Sequence, residues 1–114
     1  MSGILDGKTV LITGIITDAS IAFHAAAMAQ EQGATVLITG IPERLRLIDR
    51  IAKRLPKEVP PAIGLDITNE DEVARVVDAA AAWHGRLDGV VNSAGGSNTI
   101  GPLTQLDSEL WRGV

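Results

Sequence analysis

Cysteine and tyrosine are absent from the 114-residue sequence, and aromatic residues make up only 3% of it. Without cysteine there is no disulfide framework, no thiolate metal site and no cysteine nucleophile. No HExxH, CxxC or DxDxDG pattern occurs either, so no metal site is predicted. The first residues, MSGILDGKTVLITG, lack an apolar run long enough for a signal peptide or a membrane span. We therefore expect a cytoplasmic protein with no membrane partner.

The charge balance excludes a further class of partner. The net charge is −4, and no basic stretch of the kind that binds nucleic acid is present. Hydrophobic residues make up 46% of the chain and charged residues 21%, which is an ordinary balance for a globular protein. The length suits one small domain, so residues 1–114 are predicted to form a single domain.

Short apolar runs alternate with longer helical patterns along the chain. The first helix is predicted to be capped by Ser20 and to end at Gly33. A later helix is predicted to be capped by Asn69 together with Glu72. Pro42 suits the first turn of another, and Asp107 or Ser108 is predicted to cap the last. Strands joined by helices of this length are parallel neighbours with right-handed crossovers. The pattern predicts a doubly wound parallel α/β sheet of the Rossmann type, in the order 3-2-1-4. The first three strands are predicted at Lys8–Thr13, Thr35–Thr39 and Ala62–Ile67, and Leu87–Gly95 is predicted as a fourth strand running into a loop.

The connection between the first strand and the first helix contains few glycines. Gly14 is followed by seven residues, Ile15 to Ile21, without another glycine. A helix N-terminus after a strand is an anion site, because unpaired N–H groups and the helix dipole favour a phosphate. In the usual phosphate-binding loop, glycines let the backbone approach the phosphates closely. Here the Ser20 hydroxyl and the Ile21 N–H are the groups available instead. The alternative is an ordinary connection in which Ser20 only caps the helix.

The sequence of this region resembles that of a known family. LDGKTVLITGIITDASIAFHAAAMAQEQGATVLITG and RLRLIDRIAKRLPKEVP resemble enoyl-[acyl-carrier-protein] reductases of the mycolic-acid type, a divergent branch of the short-chain dehydrogenase/reductases. That branch has G-x5-S-I-A in place of the glycine-rich loop. LDITNEDEVARVVDAAAAWHGRLDGVVNSAGG and GPLTQLDSELW are instead similar to the classical members. Domains of this type carry more strands beyond the fourth, so the chain is expected to be about half of one.

The resemblance implies a bound NAD, as NADH, with NADPH not excluded. It implies that Asp66 accepts a hydrogen bond from the adenine amino group and that the amide of Ile67 reaches a ring nitrogen. The alternative for Asp66 is that its side chain only accepts hydrogen bonds from nearby N–H groups before a helix. The alternative for Asn92–Gly95, at the end of the fourth strand, is that these small residues only form a turn. The cofactor-binding residues expected on this basis are Gly14, Ile15, Ile16, Ser20, Ile21, Ile41, Asp66, Ile67, Asn92, Ser93, Ala94 and Gly95.

The same resemblance implies reduction of an enoyl thioester, with acyl carrier protein or acyl-CoA as the partner of a full-length relative. In the family a tyrosine and a lysine beyond the fourth strand serve the reaction, and no tyrosine is present here. No catalytic residue is therefore predicted within the chain. Two alternatives stay open: a non-catalytic half-Rossmann unit that binds nucleotide, and a composite of two relatives. An exposed edge on the fourth strand also predicts self-association.

Overall fold

The computed structural model describes residues 3–83 and 85–94, which form one parallel sheet between two helical layers. The strand order is β3-β2-β1-β4 and every neighbouring pair is parallel, which confirms the predicted doubly wound arrangement. A 3₁₀ turn at Pro42–Arg44 leads into the second helix. The strands are β1 Thr9–Ile12, β2 Thr35–Gly40, β3 Ile63–Gly64 and β4 Gly89–Val91, and the helices are α1 Ile21–Glu31, α2 Leu45–Ala52 and α3 Glu70–Trp83.

Alternate side chains of β1 and β2 enter two separate apolar clusters, one on each face of the sheet. Val10 and Ile12 join a large cluster with residues of α1 and α2, whereas Leu11 joins a smaller one with Val76 and Ala80 of α3. This follows from the two-residue period of a strand, which sends successive side chains to opposite faces. All four residues of β1 are buried, as expected for a parallel strand covered on both faces.

One heptapeptide, TVLITGI, occurs twice, at residues 9–15 and 35–41. The first copy contains β1 and the second contains β2, and the two strands pair in register. Thr9 lies opposite Thr35, and the pairing continues residue by residue to Ile12 opposite Ile38. Each side chain of the pair therefore has its own counterpart as a neighbour across the ladder.

The predicted helix ends are largely confirmed. The Ser20 hydroxyl accepts a hydrogen bond from the Phe23 amide at 3.3 Å and caps α1. Gly33 follows this helix with φ +97°, the left-handed conformation that favours glycine. Asn69 caps α3 by accepting from the amides of Asp71 and Glu72.

The cap of one helix and the bounds of three elements differ from the prediction. The predicted part of Glu72 in capping α3 is wrong, because Glu72 accepts from the amide of Asp66 rather than from that of Asn69. The pattern ERLRLIDRIAKRL predicts a second helix up to Leu55, but the helix stops at Ala52 and tight turns follow, in which the Arg54 and Leu55 amides donate to the Ile51 and Ala52 carbonyls. The fourth strand begins at Gly89 rather than Leu87 and ends at Val91. The third strand has two residues instead of six, since only Thr39 and Gly40 of β2 pair with it.

The predicted helix near Asp107 and Ser108 lies outside the described residues. Among the helices of residues 3–83 and 85–94, none has the length and apolar character needed to cross a bilayer.

Candidate functional site

Two of the predicted site segments meet at Gly14. Its φ is +85°, and a Cβ added there would lie 2.4 Å from the Ser93 carbonyl carbon and 2.6 Å from the Ala94 nitrogen. The turn after β1 is therefore packed directly on the Ser93–Ala94 peptide after β4. Only glycine combines this backbone conformation with this close approach. The sequence predicts Gly14 as a cofactor-binding residue, and its contact with the loop after β4 is a further constraint on this position.

Thr13 joins the same two loops by hydrogen bonds and was not among the predicted site residues. Its amide and hydroxyl both donate to the Val91 carbonyl, at 3.1 and 3.2 Å. Its Oγ1 accepts from the amides of Ser93 and Ala94, at 3.1 and 3.3 Å. The side chain is buried, so these bonds are protected from water. No signal in the sequence distinguishes it, because Thr39 ends the second copy of the same TVLIT segment.

The N-terminus of α1 lies after a loop that starts at Gly14. The Ser20 hydroxyl donates to the Thr17 carbonyl at 2.7 Å while it accepts from Phe23. Its role as a helix cap is confirmed, and contact with a phosphate would require its proton to leave Thr17. The amides of Ile21 and Ala22 occupy the first two helical positions, which have no partner within a helix. These two amides are the groups at this end that suit an anion.

Asp66 follows β3 at the same edge of the sheet. Its Oδ1 accepts from the amide and the hydroxyl of Thr68, at 2.9 and 2.6 Å. These bonds, the side-chain one first, lower the pKa of Asp66 and keep it ionised. The local role is thus present, and within residues 3–83 and 85–94 no donor is bonded to Oδ2. One carboxylate oxygen remains as an acceptor at the surface.

The isoleucines predicted to line the cofactor do not share one environment. Ile15 is only 1% exposed and belongs to the core between the sheet and α1. Its side chain cannot line a surface site, because the turn at Gly14 directs it inward, so only its backbone is available. Four others keep exposed side chains near the carboxyl ends of the strands: Ile16, Ile21, Ile41 and Ile67.

Hydrogen bonding between β2 and β3 brings two predicted residues to neighbouring positions. The Leu65 amide donates to the Gly40 carbonyl at 2.9 Å. Ile41 and Asp66 each follow one partner of this bond. The exposed Ile41 side chain and the Asp66 carboxylate therefore leave the sheet at adjacent strand ends.

A cavity of about 280 Å³ opens between α3 and the ends of β1, β3 and β4. Thr13 contributes to its wall together with Ile67, Asn92 and Ala94, which come from two of the predicted segments. The remaining lining is aliphatic. A mostly apolar cavity with a few polar groups is typical of a site for a small organic ligand. Gly95, the last predicted residue of this region, lies outside the described residues.

The carboxyl ends of parallel strands around the point where the strand order reverses are where open α/β sheets bind ligands. Comparison with known proteins identifies the family. The family model described as enoyl-(acyl carrier protein) reductase matches residues 14–114. The chain belongs to this family of short-chain dehydrogenase/reductases.

Individual relatives fall within the same family group. The chain is 51% identical over 102 residues to the enoyl-[acyl-carrier-protein] reductase [NADH] of Mycobacterium avium, covering 87% of this chain and 37% of the relative. It is 50% identical over 98 residues to the enzyme of the same name from Mycolicibacterium smegmatis, covering 83% and 36%. The cis-4-hydroxycyclohexanecarboxylate dehydrogenase of Sinomonas cyclohexanicum is 34% identical over 109 residues, covering 94% and 42%. The chain spans well under half the length of these relatives.

Proposed function

We propose that residues 1–114 act as a dinucleotide-binding domain that holds a nicotinamide adenine dinucleotide along the carboxyl ends of the strands. The observation that carries this proposal is the junction of Gly14 with Ser93 and Ala94, fixed by the Thr13 hydroxyl. It leaves small side chains and bare backbone where a ribose and pyrophosphate need close approach. The free first-turn amides of α1 provide the anion-binding end.

The adenine end of the ligand fits the far side of the same edge. Ionised Asp66 has an open Oδ2 that can accept from an exocyclic amino group. Exposed Ile41 and Ile67 flank this carboxylate with apolar surface that suits a purine face. The amide of Ile67 lies beside it as a donor for a ring nitrogen.

We propose that the domain takes NADH in preference to NADPH. Both mycobacterial relatives carry NADH in their names. The turn after β2 contains Glu43 and Arg44, both exposed. The acid disfavours a 2′-phosphate and the base favours one, so the charges at this position supply no net attraction. A dissociation constant for NADPH tenfold below that for NADH would reverse this assignment.

In a longer protein this domain would serve reduction of a trans-2-enoyl thioester carried by acyl carrier protein or CoA. Bound NADH would supply the hydride. The chain's own part is to bind the dinucleotide and hold it against the sheet. A carbonyl oxygen that gains negative charge needs a donor, and the family's tyrosine has no counterpart in these 114 residues. Binding without turnover is therefore the activity proposed for this chain alone.

A titration with NADH, followed through nicotinamide fluorescence, tests the proposed site. Ser20→Asp keeps a good N-cap acceptor but places a negative charge at the anion-binding end of α1. We expect it to abolish binding. Met28→Glu adds the same charge on the exposed side of α1 and should bind like the parent. Equal binding by parent and Ser20→Asp would show that the site is elsewhere, and no binding by the parent would reject the proposal.

We also propose self-association through β4. In the described part of the chain β4 pairs with β1 alone, and Val90 at its centre is 46% exposed. An edge of this kind invites pairing with another chain. Light scattering over a range of concentrations should show growing mass. A constant monomer mass with a cooperative thermal transition would contradict the proposal.

A further inference from the structure

The loop that begins at Gly14 carries an unexpected charge for a phosphate site. Between Gly14 and Ser20 its residues are Ile15, Ile16, Thr17, Asp18 and Ala19, so it has one carboxylate and no lysine or arginine. A carboxylate near a pyrophosphate repels it, because like charges raise the free energy of the bound state. A positive charge from another part of the chain would offset this repulsion.

Arg54 supplies a cation to this loop from a distant segment. Its guanidinium forms an ion pair with the Asp18 carboxylate, 36 residues away in the sequence. Arg54 follows α2, where its amide donates to the Ile51 carbonyl at 3.0 Å. The two side chains are 67% and 45% exposed. The bond to Asp18 uses one of five guanidinium N–H groups, so others remain at the surface.

An exposed ion pair of this kind contributes little to the free energy of folding. Its position relative to the candidate site is what suggests a role in binding. Asp18 lies two residues before the cap of α1, in the loop that leads to the free amides of Ile21 and Ala22. Neutralising Asp18 at this point changes the potential that an incoming anion meets.

We propose that Arg54 is a positioning residue of the pyrophosphate site: it neutralises Asp18, holds the loop by that contact, and adds donors toward the phosphates. This inference rests on the proposed dinucleotide binding and adds a residue that lies forty positions beyond Gly14. Glutamine at position 54 would free the carboxylate and remove the cation together. We therefore expect weaker binding of NADH, by about fivefold in dilute buffer, which corresponds to about 1 kcal/mol.

The experiment is a double-mutant cycle on the whole 114-residue chain, with NADH as the probe. Arg54→Gln should weaken binding, Asp18→Asn should leave it equal or tighter, and the double variant should bind more tightly than Arg54→Gln alone. Arg46→Gln removes the same charge from an exposed position on α2 and is the matched control. The loss caused by Arg54→Gln should also shrink in about 1 M salt, where the screening length is about 3 Å.

The possible results separate the two proposals. If the parent binds NADH and Arg54→Gln binds like Arg46→Gln, the inference about Arg54 is wrong while the proposed function stands. A thermal transition lowered by Arg54→Gln with an unchanged dissociation constant also overturns it, since the pair would then be structural. A parent that does not bind NADH rejects both.

Discussion

Residues 9–15 and 35–41 have the same sequence, TVLITGI, and lie side by side in the sheet, but their last three residues meet different neighbours. In the first copy Thr13 bonds to the β4 loop, Gly14 has a positive φ, and Ile15 is buried. In the second copy Gly40 continues the strand and Ile41 is 49% exposed. The local sequence is identical, so the difference arises from the strands on either side.

The order of the sheet explains how this happens. β1 lies between β2 and β4, so its end faces the loop that follows β4. β2 lies between β1 and β3. Its Gly40 pairs with Gly64, and the Gly40 carbonyl accepts a hydrogen bond from the Leu65 amide. One copy turns sharply at Gly14 and packs on the loop after β4, whereas the other extends the sheet to Gly40 and places Ile41 beside Asp66. Function at these residues is thus set by tertiary position.

The glycines should give the largest contrast. Gly14→Ala combines a left-handed backbone with a clash against the Ser93–Ala94 peptide, and we expect it to destabilise by about 2–4 kcal/mol. An alanine at Gly40 meets the terminal Cδ1 methyl of the buried Ile48 side chain, which must shift within the core, so Gly40→Ala should cost less, about 1–2 kcal/mol. Urea unfolding of both variants measures the difference. Equal losses would mean that the two turns are under the same constraint.

The threonines should differ less. Thr13→Val leaves the amides of Ser93 and Ala94 without their acceptor, at a cost of about 1–3 kcal/mol. Thr39 is buried, and its side chain has no hydrogen bond with residues of the described ranges. Thr39→Val should therefore be neutral or stabilising by less than about 1 kcal/mol. Parallel urea curves give the comparison, and a Thr39→Val loss as large as that of Thr13→Val would contradict it.

The smallest contrast is at the start of each copy. The Thr9 amide donates to the Asp88 carboxylate at 2.8 Å, whereas the Thr35 amide donates to the Lys8 carbonyl. Only the first bond can titrate. The Arg86 guanidinium and the Thr9 amide lower the pKa of Asp88 in the folded protein. Its stabilising effect is therefore present above the unfolded value of about 3.9 and is lost as pH falls through the lower folded pKa.

Comparing the parent with Asp88→Asn across pH tests this bond. The difference in free energy of unfolding should be full at neutral pH and shrink below about pH 4. Asp78→Asn, a change of the same charge on the exposed side of α3, is the control. A gap between parent and Asp88→Asn that is constant down to pH 2 would show that the carboxylate charge is not involved.

Features set by neighbouring residues or by the order of the elements could be predicted from the sequence. The strand order followed from alternating elements and crossover handedness, and the Ser20 cap and the Gly33 terminus from local hydrogen bonding. The role of Thr13 was not readable, because it depends on hydrogen bonds to residues about 80 positions away. The burial of Ile15 was missed because it depends on packing between the sheet and α1. The length of β3 was missed because an edge strand extends only as far as its neighbour pairs with it.

The most direct test of the account is the dissociation constant of NADH for the parent, Thr13→Val and Thr39→Val, measured well below the thermal transition of each. If the Thr13 hydroxyl organises the junction that binds the dinucleotide, Thr13→Val should bind at least about tenfold more weakly, a loss of about 1.4 kcal/mol. Thr39→Val, the same change in the second copy, should bind like the parent. Equal affinity for all three proteins would contradict the account.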